Sequence, residues 1–498
     1  MKTLNSLLTI FLKPTTYFLQ PFCYLFFFLS TSTIQAQQVQ WASKIIKMPS
    51  DLGGKQYGIK RILGKPDVFP QAGSSPNAWA PKNALKAGEV LVVGFDKPQT
   101  VKQVAVFENL NSGSVTEILV GDAAGNFTSV WSRQSTWVAP KYRFTISFGS
   151  SKGYRRKRGT TQEAPDVSFN PGIQTAILDK PIENVSAVKV KFSFALTSGQ
   201  KQIDAIGISD LDAPIEAKIN TMPAFENLIN SEIINTDQFE AFAPMISFDG
   251  KKLYFTSFGN INSDNDEVKN KIYSLSKNAA GTWANPLEEK ILNTNPNYNY
   301  LNANFENFTI RGGKPTFVGT PDSGYEFLDA DTNFSKPRDL KILGFNNYND
   351  TSDLTITKDK KTIIMAIESD FSQGGTDIYF STQKDDGSYG LLQNAGKIIN
   401  SAADESNPQL LSDQKTLLFA SEGFSGFGSF DIYVTQRLDE TWKNWSEPIN
   451  LGSKINTTSF EGATFYDEKN QILYYTTIEN SKATIKQVNV PFSILSQK

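Results

Sequence analysis

The sequence predicts an all-β protein in which a jelly-roll-like β-sandwich is followed by a five-bladed β-propeller. Three observations lead to this prediction. A turn-and-strand motif recurs from residue 247 onward, a second short motif spaces its copies evenly, and residues 37–213 contain short strand-like runs separated by Gly, Pro and Asn. Four short strands in each evenly spaced repeat are typical of a propeller blade.

The turn-and-strand motif is clearest in residues 247–257. Asp249 and Gly250 have the residue types of a two-residue turn, and the alternation after them places Leu253 and Phe255 on one face of a strand. A short strand with one apolar face is not stable alone, so its recurrence predicts a stacked repeat architecture. Two later copies are clear and two are degenerate: residues 357–366, 412–421, 311–319 and 466–476.

A second motif, Ile-Asn-Thr or a close variant, sets the period. Its asparagines are separated by 58, 53, 54 and 56 residues: Asn235, Asn293, Asn346, Asn400 and Asn456. A carboxylate follows three of the copies five residues later: Glu240, Glu405 and Glu461. Five markers predict five blades, and a sixth blade is open only if its repeat is too degenerate to see.

The two ends of the repeat region complement each other. Residues 225–249 align with residues 446–470 at a constant offset of 221, so the first segment matches the outer strand of a blade that lacks its inner strands. The last repeat, residues 461–498, has inner strands but no outer segment. We therefore expect the two ends to close the ring, which would remove exposed sheet edges.

The string Ser-x-Asp-Gly-Lys-x-Leu-Tyr-Phe-x-Ser at residues 247–257 resembles the repeat of TolB-like propellers from Gram-negative cell envelopes. This resemblance implies a propeller over residues 214–498 and a role with envelope transport or secretion machinery. The type 9 secretion translocon is the sharpest form of that expectation. Propellers host binding, scaffolding and catalysis alike, so the fold class does not choose among these functions.

Residues 37–213 have a different sequence pattern from the repeat region. Strands are expected at residues 89–95, 102–108, 116–122, 187–194 and 203–209. Several strands flanked by turns favour a sandwich. The stretches at residues 63–67, 107–115 and 203–206 are together similar to discoidin-like modules of the galactose-binding fold. Such modules bind carbohydrate, lipid or protein through loops at one end, and the resemblance transfers no ligand residue to this chain.

Residues 1–36 are predicted to be a signal peptide. Lys2 and Lys13 supply positive charge, residues 22–29 form an apolar run too short to span a bilayer, and residues 34–36 form a cleavage site. The single cysteine of the chain, Cys23, lies in this segment. An exported chain that would then lack cysteine fits a Gram-negative periplasm. The resemblance to TolB-like propellers implies association with the outer membrane. The alternative is a retained N-terminal anchor.

Residue types that are missing exclude several chemistries. The chain has no histidine, which excludes Ser-His-Asp and Cys-His pairs and imidazole metal ligands. A net charge of −2 argues against nucleic acid as the partner. We therefore expect no catalytic residues, no cofactor and no metal. Paired carboxylates, as in five-bladed glycosidases, stay open, although the in-register repetition of Glu240, Glu405 and Glu461 favours a structural role such as accepting N–H bonds between blades.

Two features are candidate partner contacts, a basic run in the N-terminal region and two rings of a Gly-rich loop: Arg155, Arg156, Lys157, Arg158, Phe424 and Phe427. The basic run fits either a solvated loop or docking to an acidic partner or lipid phosphates. The rings fit either packing onto the neighbouring blade or a protein-contact patch. Residues 260–266 are rich in oxygen ligands but lack the Gly and Glu of a calcium loop, so a plain loop and a calcium site are both open.

The sequence therefore predicts a non-enzymatic periplasmic binding or scaffold subunit that docks on or occludes an outer-membrane transport or secretion complex. It is not expected to span a membrane after signal cleavage. The alternative is a carbohydrate-binding or glycoside-hydrolysing envelope protein. The identity of the partner, the binding face of the propeller and the oligomeric state stay open.

Overall fold

Strands dominate the described part of the chain. The structure, a computed structural model, describes residues 37–133, 144–146, 167–169, 171–234, 240–258, 270–295, 298–312, 322–349 and 351–497. Three features named above lie outside these residues: the predicted signal peptide, the basic run Arg155, Arg156, Lys157 and Arg158, and the oxygen-rich stretch 260–266. No helix among the described residues has the length and apolarity needed to cross a membrane.

The N-terminal strands form a seven-stranded sheet and a two-stranded sheet. Their bounds are β1 (Val39–Trp41), β2 (Lys44–Lys47), β3 (Ala87–Glu108), β4 (Val115–Gly121), β5 (Phe127–Ser132), β6 (Phe144–Ile146), β7 (Val167–Phe169), β8 (Gly172–Ser193) and β9 (Ala205–Ser209). The large sheet has the order β1-β9-β3-β8-β4-β5, with β2 added to β3, and β6 pairs with β7. Short 3-10 helices occur at Ile59–Ile62, Phe194–Leu196 and Ala330–Thr332.

The two longest strands explain why the predicted two-sheet sandwich is not confirmed. Two separate strands were expected at residues 89–95 and 102–108, but both belong to β3. This strand pairs with β8 along its length through several register shifts, for example between Gly94 and Gln99. The chain stays extended across the expected break, so the hydrogen bonds join one continuous sheet. Val93 and Val106, from the two halves of β3, share one buried core.

The remaining strands form five antiparallel blades, as predicted. From the centre outward they are β11 (Glu240–Ile246), β12 (Lys252–Phe258), β13 (Lys271–Lys277) and β14 (Trp283–Glu288) in blade 1; β15 (Tyr300–Asn304), β16 (Phe308–Gly312), β17 (Tyr325–Asp329) and β18 (Arg338–Asp339) in blade 2; β19 (Asp353–Ile356), β20 (Thr362–Ile367), β21 (Asp377–Thr382) and β22 (Gln393–Asn394) in blade 3; β23 (Glu405–Leu410), β24 (Thr416–Ser421), β25 (Asp431–Gln436) and β26 (Ile449–Asn450) in blade 4; and β27 (Phe460–Asp467), β28 (Ile472–Glu479), β29 (Lys482–Asn489) and β10 (Glu232–Ile233) in blade 5. The one-turn helices α1 (Pro223–Glu226) and α2 (Phe492–Leu495) flank this region.

The predicted closure of the ring is confirmed. The short strand β10 precedes blade 1 in sequence but is the outer strand of blade 5, where Glu232 is opposite Gln487. The Ile234 N–H extends the pairing by donating to the Ile485 carbonyl at 2.9 Å. The Ile234 side chain is buried in a cluster that also holds Phe255 of blade 1. The two ends of the repeat region therefore join blades 5 and 1.

The marker asparagines have a local structural cause. The Asn456 side chain accepts from the Ile432 N–H at 2.8 Å and donates to the Ile432 carbonyl at 3.0 Å. Asn400 makes the same two bonds to Ile378. Each amide thus satisfies one residue of a blade's third strand just beyond the end of the short outer strand. The recurrence of asparagine follows because its amide has both a donor and an acceptor.

Candidate functional site

The propeller encloses a central channel lined by the innermost strand of each blade, β11, β15, β19, β23 and β27. Its volume is about 1090 Å³. Four of these strands shift register in their middle, for example β11 between Phe242 and Met245 and β27 between Gly462 and Phe465. A bulge bends a strand and changes the direction of its side chains.

The channel lining differs from one side to the other. Blades 2, 3 and 4 contribute Asn302, Asp353 and Asn407. Blades 5 and 1 contribute Phe460 and Phe242, whose ring centroids lie 6.2 Å apart. The side chains of the lining therefore differ from blade to blade, and blade 2 contributes both Asn302 and Tyr300, whose ring centroid lies 6.3 Å from that of Phe242.

Polar bonds cross from blade to blade around the channel. The Asn407 N–H donates to the Asp353 carboxylate at 3.0 Å, and the Ala463 N–H donates to the Asn407 side-chain oxygen at 2.9 Å. Burial raises the pKa of Asp353 above its usual value. Two buried lining atoms, Asn302 Oδ1 and Thr464 Oγ1, have no hydrogen-bond partner within the described chain.

The other carboxylates of the lining hold turns. Asp359 accepts from the Lys361 N–H at 3.0 Å, and Asp467 accepts from the Lys469 N–H at 3.1 Å. Glu468 accepts from the Ser412 N–H at 2.7 Å. Glu468, like Asp353, therefore accepts an N–H from the neighbouring blade, whereas Asp359 and Asp467 accept within their own turns.

The repeated glutamates lie in the blades, away from the channel lining. Glu405 is fully buried and accepts from the Ser401 N–H at 2.9 Å, the Ser401 hydroxyl at 2.7 Å and the Ser421 hydroxyl at 2.8 Å. Glu461 makes the same set of bonds with Thr457 and Thr477. Burial raises the pKa of both carboxyls. These bonds lie within one blade and its entry loop. Glu405 and Glu461 therefore do not make the expected bonds between blades.

The third glutamate of the set, Glu240, is half-buried at the start of β11. Its marker residues 235–237 lie outside the described chain. Within the described residues, no group of three or more His, Cys, Asp or Glu side chains is arranged to hold a metal ion.

The N-terminal region contacts the loops of blades 3 and 4. Asn77 is buried there, donating to the Gly423 carbonyl at 2.8 Å and accepting from the Ala402 N–H at 2.7 Å. The Lys55 ammonium donates to the Ser372 carbonyl at 2.6 Å. Gly423 is tightly placed, because a Cβ there would clash with the Ser401 side chain. The N-terminal region is therefore held by specific polar bonds.

The Gly-rich loop of blade 4 takes part in this contact. The Ser425 hydroxyl donates to the Phe69 carbonyl at 2.5 Å. Phe424 is half-buried, with its ring 5.5 Å from that of Tyr433 in its own blade. Phe427 is also half-buried, and its N–H donates to Asp431 at 2.7 Å. A partner contact through Phe424 and Phe427 stays a prediction.

An acidic pair that the sequence analysis does not predict lies beside this contact, with Asp204 buried and Asp67 half-buried. Asp204 accepts from the backbone N–H groups of Asp67, Val68 and Phe69 at 3.0 to 3.1 Å. Burial, reinforced by the charge of Asp204, raises the pKa of Asp67 to about 8. Burial also raises the pKa of Asp204 to about 7. Asp67 and Asp204 are 137 residues apart in the chain, so no local pattern pairs them.

We expect this acidic pair to make the protein less stable as the pH rises. The unfolded chain releases these protons near pH 4, whereas the folded chain keeps them until about pH 7 to 8, so the contribution is full below pH 4 and is lost as the pH rises to 8. Thermal melting between pH 5 and 9 should show a shallower decline for Asp67→Asn than for the unsubstituted protein. The exposed turn variant Asp386→Asn is the control. Parallel melting curves for Asp67→Asn and the unsubstituted protein would refute the assignment.

The sequence matches no family model and no curated protein. Several solved structures are similar at low identity. TolB from Acinetobacter baumannii matches at 13% identity and a TM-score of 0.30, over 51% of this chain and 55% of the TolB chain, so the match spans about half of TolB. An endo-arabinase from Bacteroides thetaiotaomicron matches at 15% identity and a TM-score of 0.32, over 55% and 98% of the two chains. An α-L-arabinofuranosidase from Lactobacillus brevis matches at 13% and 0.34, over 52% and 98%. Structural matches at these identities and TM-scores do not indicate a function.

Proposed function

We propose that the protein is a non-enzymatic periplasmic binding or scaffold subunit that docks on or occludes an outer-membrane transport or secretion complex. The channel is the observation that supports this proposal. It is large, its lining combines aromatic rings with polar side chains, and a bond between blades holds the Asp353 carboxylate in that lining. Such a site has the shape and polar groups for recognition. The type 9 secretion translocon is the specific partner that we propose, on the strength of the repeat string alone.

The docking of the N-terminal region also suits a scaffold. Lys55, Gln56 and Asn77 bind backbone groups of blades 3 and 4, not the channel lining. Backbone carbonyls and N–H groups are held in place by the blades, so bonds to them fix the geometry of the contact. A subunit built in this way can present two binding surfaces in a defined arrangement.

Purification of the tagged full-length chain from detergent-solubilised envelopes tests the proposal. We expect one outer-membrane complex to co-purify in a fixed stoichiometry, and the recovery should be insensitive to free sugars. A matched sample that expresses the tag alone is the control. Recovery of the chain without a stoichiometric envelope partner would contradict the scaffold function.

Carbohydrate binding or glycoside hydrolysis is the second candidate function. The observation that favours it is the channel lining, which combines the rings of Phe242 and Phe460 with the polar side chains of Asn302, Asp353 and Asn407. We expect the unsubstituted protein to release no reducing sugar from envelope or plant polysaccharides. If release is seen and Asp353→Asn lowers it by about 100-fold or more, as removal of an acid or base does, the enzyme function replaces the scaffold.

A further inference from the structure

The outer edges of the five blades are protected unequally. Exposed edge strands invite pairing with another chain, and proteins protect them with charges, proline or a covering segment. Blade 5 has Glu232 at its edge, blade 1 has Pro286 and Glu288, and blade 2 has Arg338 and Asp339. The edge of blade 3, β22, consists of Gln393 and Asn394 and has neither a charge nor a proline.

The edge of blade 4 shows what such an edge binds. The segment that connects the N-terminal region to the propeller runs parallel to β26, with Thr221 bridged to Asn450. The Asn450 N–H donates to the Asn220 carbonyl at 2.8 Å, and the Asn220 side chain donates to the Pro448 carbonyl at 2.8 Å. Asn450 is fully buried as a result.

The edge of blade 3 is the structural counterpart of this covered edge. Asn394 is opposite Tyr379 in β21, as Asn450 is opposite Tyr433 in β25. The Asn394 side chain donates to Asp377 at 2.6 Å, which matches the bond from Asn450 to the corresponding aspartate of blade 4. No segment of the described chain covers Asn394, however. Asn394 is half-buried. The next N–H, that of Ala395, donates to the Ile378 carbonyl at 3.0 Å, so the alternation along the strand turns the Asn394 N–H away from β21.

Exposed apolar side chains flank the uncovered edge. Phe371 is 74% exposed, and its carbonyl accepts from the Asn394 side chain at 3.3 Å, so this residue lies beside the edge. Leu391 is 61% exposed and lies against Gly344, next to the exposed Leu343. Apolar patches of this kind mark interaction sites. The patch also continues from the contact with the N-terminal region, because the Asp370 carbonyl accepts from Lys55 at 2.8 Å.

We propose that the outer edge of β22 is a docking site for an extended segment of a protein partner. The segment pairs in parallel with residues 392–394, as residues 220–221 pair with β26, and its apolar side chains cover Phe371 and Leu391. Main-chain bonds supply affinity in this mode of recognition, and side-chain contacts supply specificity. The inference deepens the proposed scaffold function by naming a surface and a binding mode.

The parallel direction favours a different protein over a second copy of this chain. A two-fold symmetric dimer presents the same patch on both subunits. Two β22 edges paired across such an axis would run antiparallel, whereas the connecting segment on blade 4 runs parallel to β26. The experiment must therefore distinguish pairing of two copies of this chain from pairing with a different protein.

Site-specific photo-crosslinking in the native envelope tests the proposal. A benzophenone side chain replaces the exposed Gln393 in the full-length chain, and the adduct is mapped by mass spectrometry. We expect one envelope protein, linked through one short segment. Leu391→Glu should reduce the adduct at least about tenfold, equivalent to a tenfold rise in Kd. Leu287→Glu on the protected edge of blade 1 is the matched control, since Leu287 is equally exposed at 61%, and it should leave the adduct unchanged.

Each other outcome overturns the inference. An adduct with a second copy of this chain replaces the partner with self-association. An adduct that Leu391→Glu does not reduce, or that Leu287→Glu reduces equally, shows that β22 is not the site. If no adduct forms while the envelope complex still co-purifies with the chain, the edge proposal fails and the scaffold function stands. If neither is found, both fail.

Discussion

Replacement of Arg311 by methionine should lower the free energy of unfolding by about 3–5 kcal/mol. The Arg311 side chain is 1% exposed, and its guanidinium group bonds to the Glu326 carboxylate and to the Leu292 carbonyl at 2.7 Å. Methionine fills a similar volume but leaves the Glu326 charge buried without its partner. Urea unfolding followed by tryptophan fluorescence measures the loss.

The double variant Arg311→Met, Glu326→Leu separates this cause from poor packing. Removing both charges removes the unpaired carboxylate, and replacing a buried ion pair by apolar residues of similar volume is often neutral. We therefore expect the double variant to recover most of the stability lost in Arg311→Met. If the two substitutions lower the free energy of unfolding additively, the ion pair between Arg311 and Glu326 does not stabilise blade 2.

Blade 2 also contains a strand whose position and buried arginine could not be predicted from the repeat motif. The degenerate motif copy predicted at residues 311–319 is wrong in register, because Arg311 and Gly312 end the strand β16 and the turn before that strand lies at residues 305–307. Gly312 allows the close approach of the Tyr325 ring, and Arg311 bonds to Glu326 and Thr294. The partners come from neighbouring segments, so the compensation has no signature within the motif.

The number of blades and the ring closure could be predicted because their causes are local. The turn aspartate bonds to its own turn, as when Asp249 accepts from the Lys251 N–H at 3.1 Å. The glycine after it has φ of 73°, and Lys360 and Gln414 hold the same left-handed position in two other copies. Short-range bonds of this kind recur wherever the turn residues recur, so the repeat can be recognised from the sequence alone.

The residues that meet in and beside the candidate site are far apart in the sequence, so their proximity could not be predicted. The bond between Ala402 and Asn77 joins residues 325 positions apart, and the acidic pair Asp67 and Asp204 is also non-local. The mixed aromatic and polar lining of the channel arises from single side chains on five separate strands. No periodic pattern reports such juxtapositions. The predicted domain boundary at residue 213 stays a prediction, with β9 ending at Ser209 and β10 beginning at Glu232.

Glu405→Ala should lower the free energy of unfolding by about 2–4 kcal/mol. The change leaves the Ser401 N–H, the Ser401 hydroxyl and the Ser421 hydroxyl without their acceptor, and it opens a cavity in a fully buried site. Glu405→Gln should cost less, because burial raises the pKa of this carboxyl well above its usual value and an amide keeps the same shape without charge. Thermal and urea unfolding of both variants measure the difference.

Glu461→Ala is the matched control, because Glu461 has the same set of bonds in blade 5. Both alanine variants should be destabilised to a similar extent. Only Glu405→Ala should also speed hydrogen exchange at the Ala402 N–H, since Ser401 positions the loop that donates to Asn77. If these glutamates were catalytic, substitution would abolish an activity and leave the unfolding free energy nearly unchanged. Equal stability of Glu405→Ala and the unsubstituted protein would therefore refute the structural role of this glutamate.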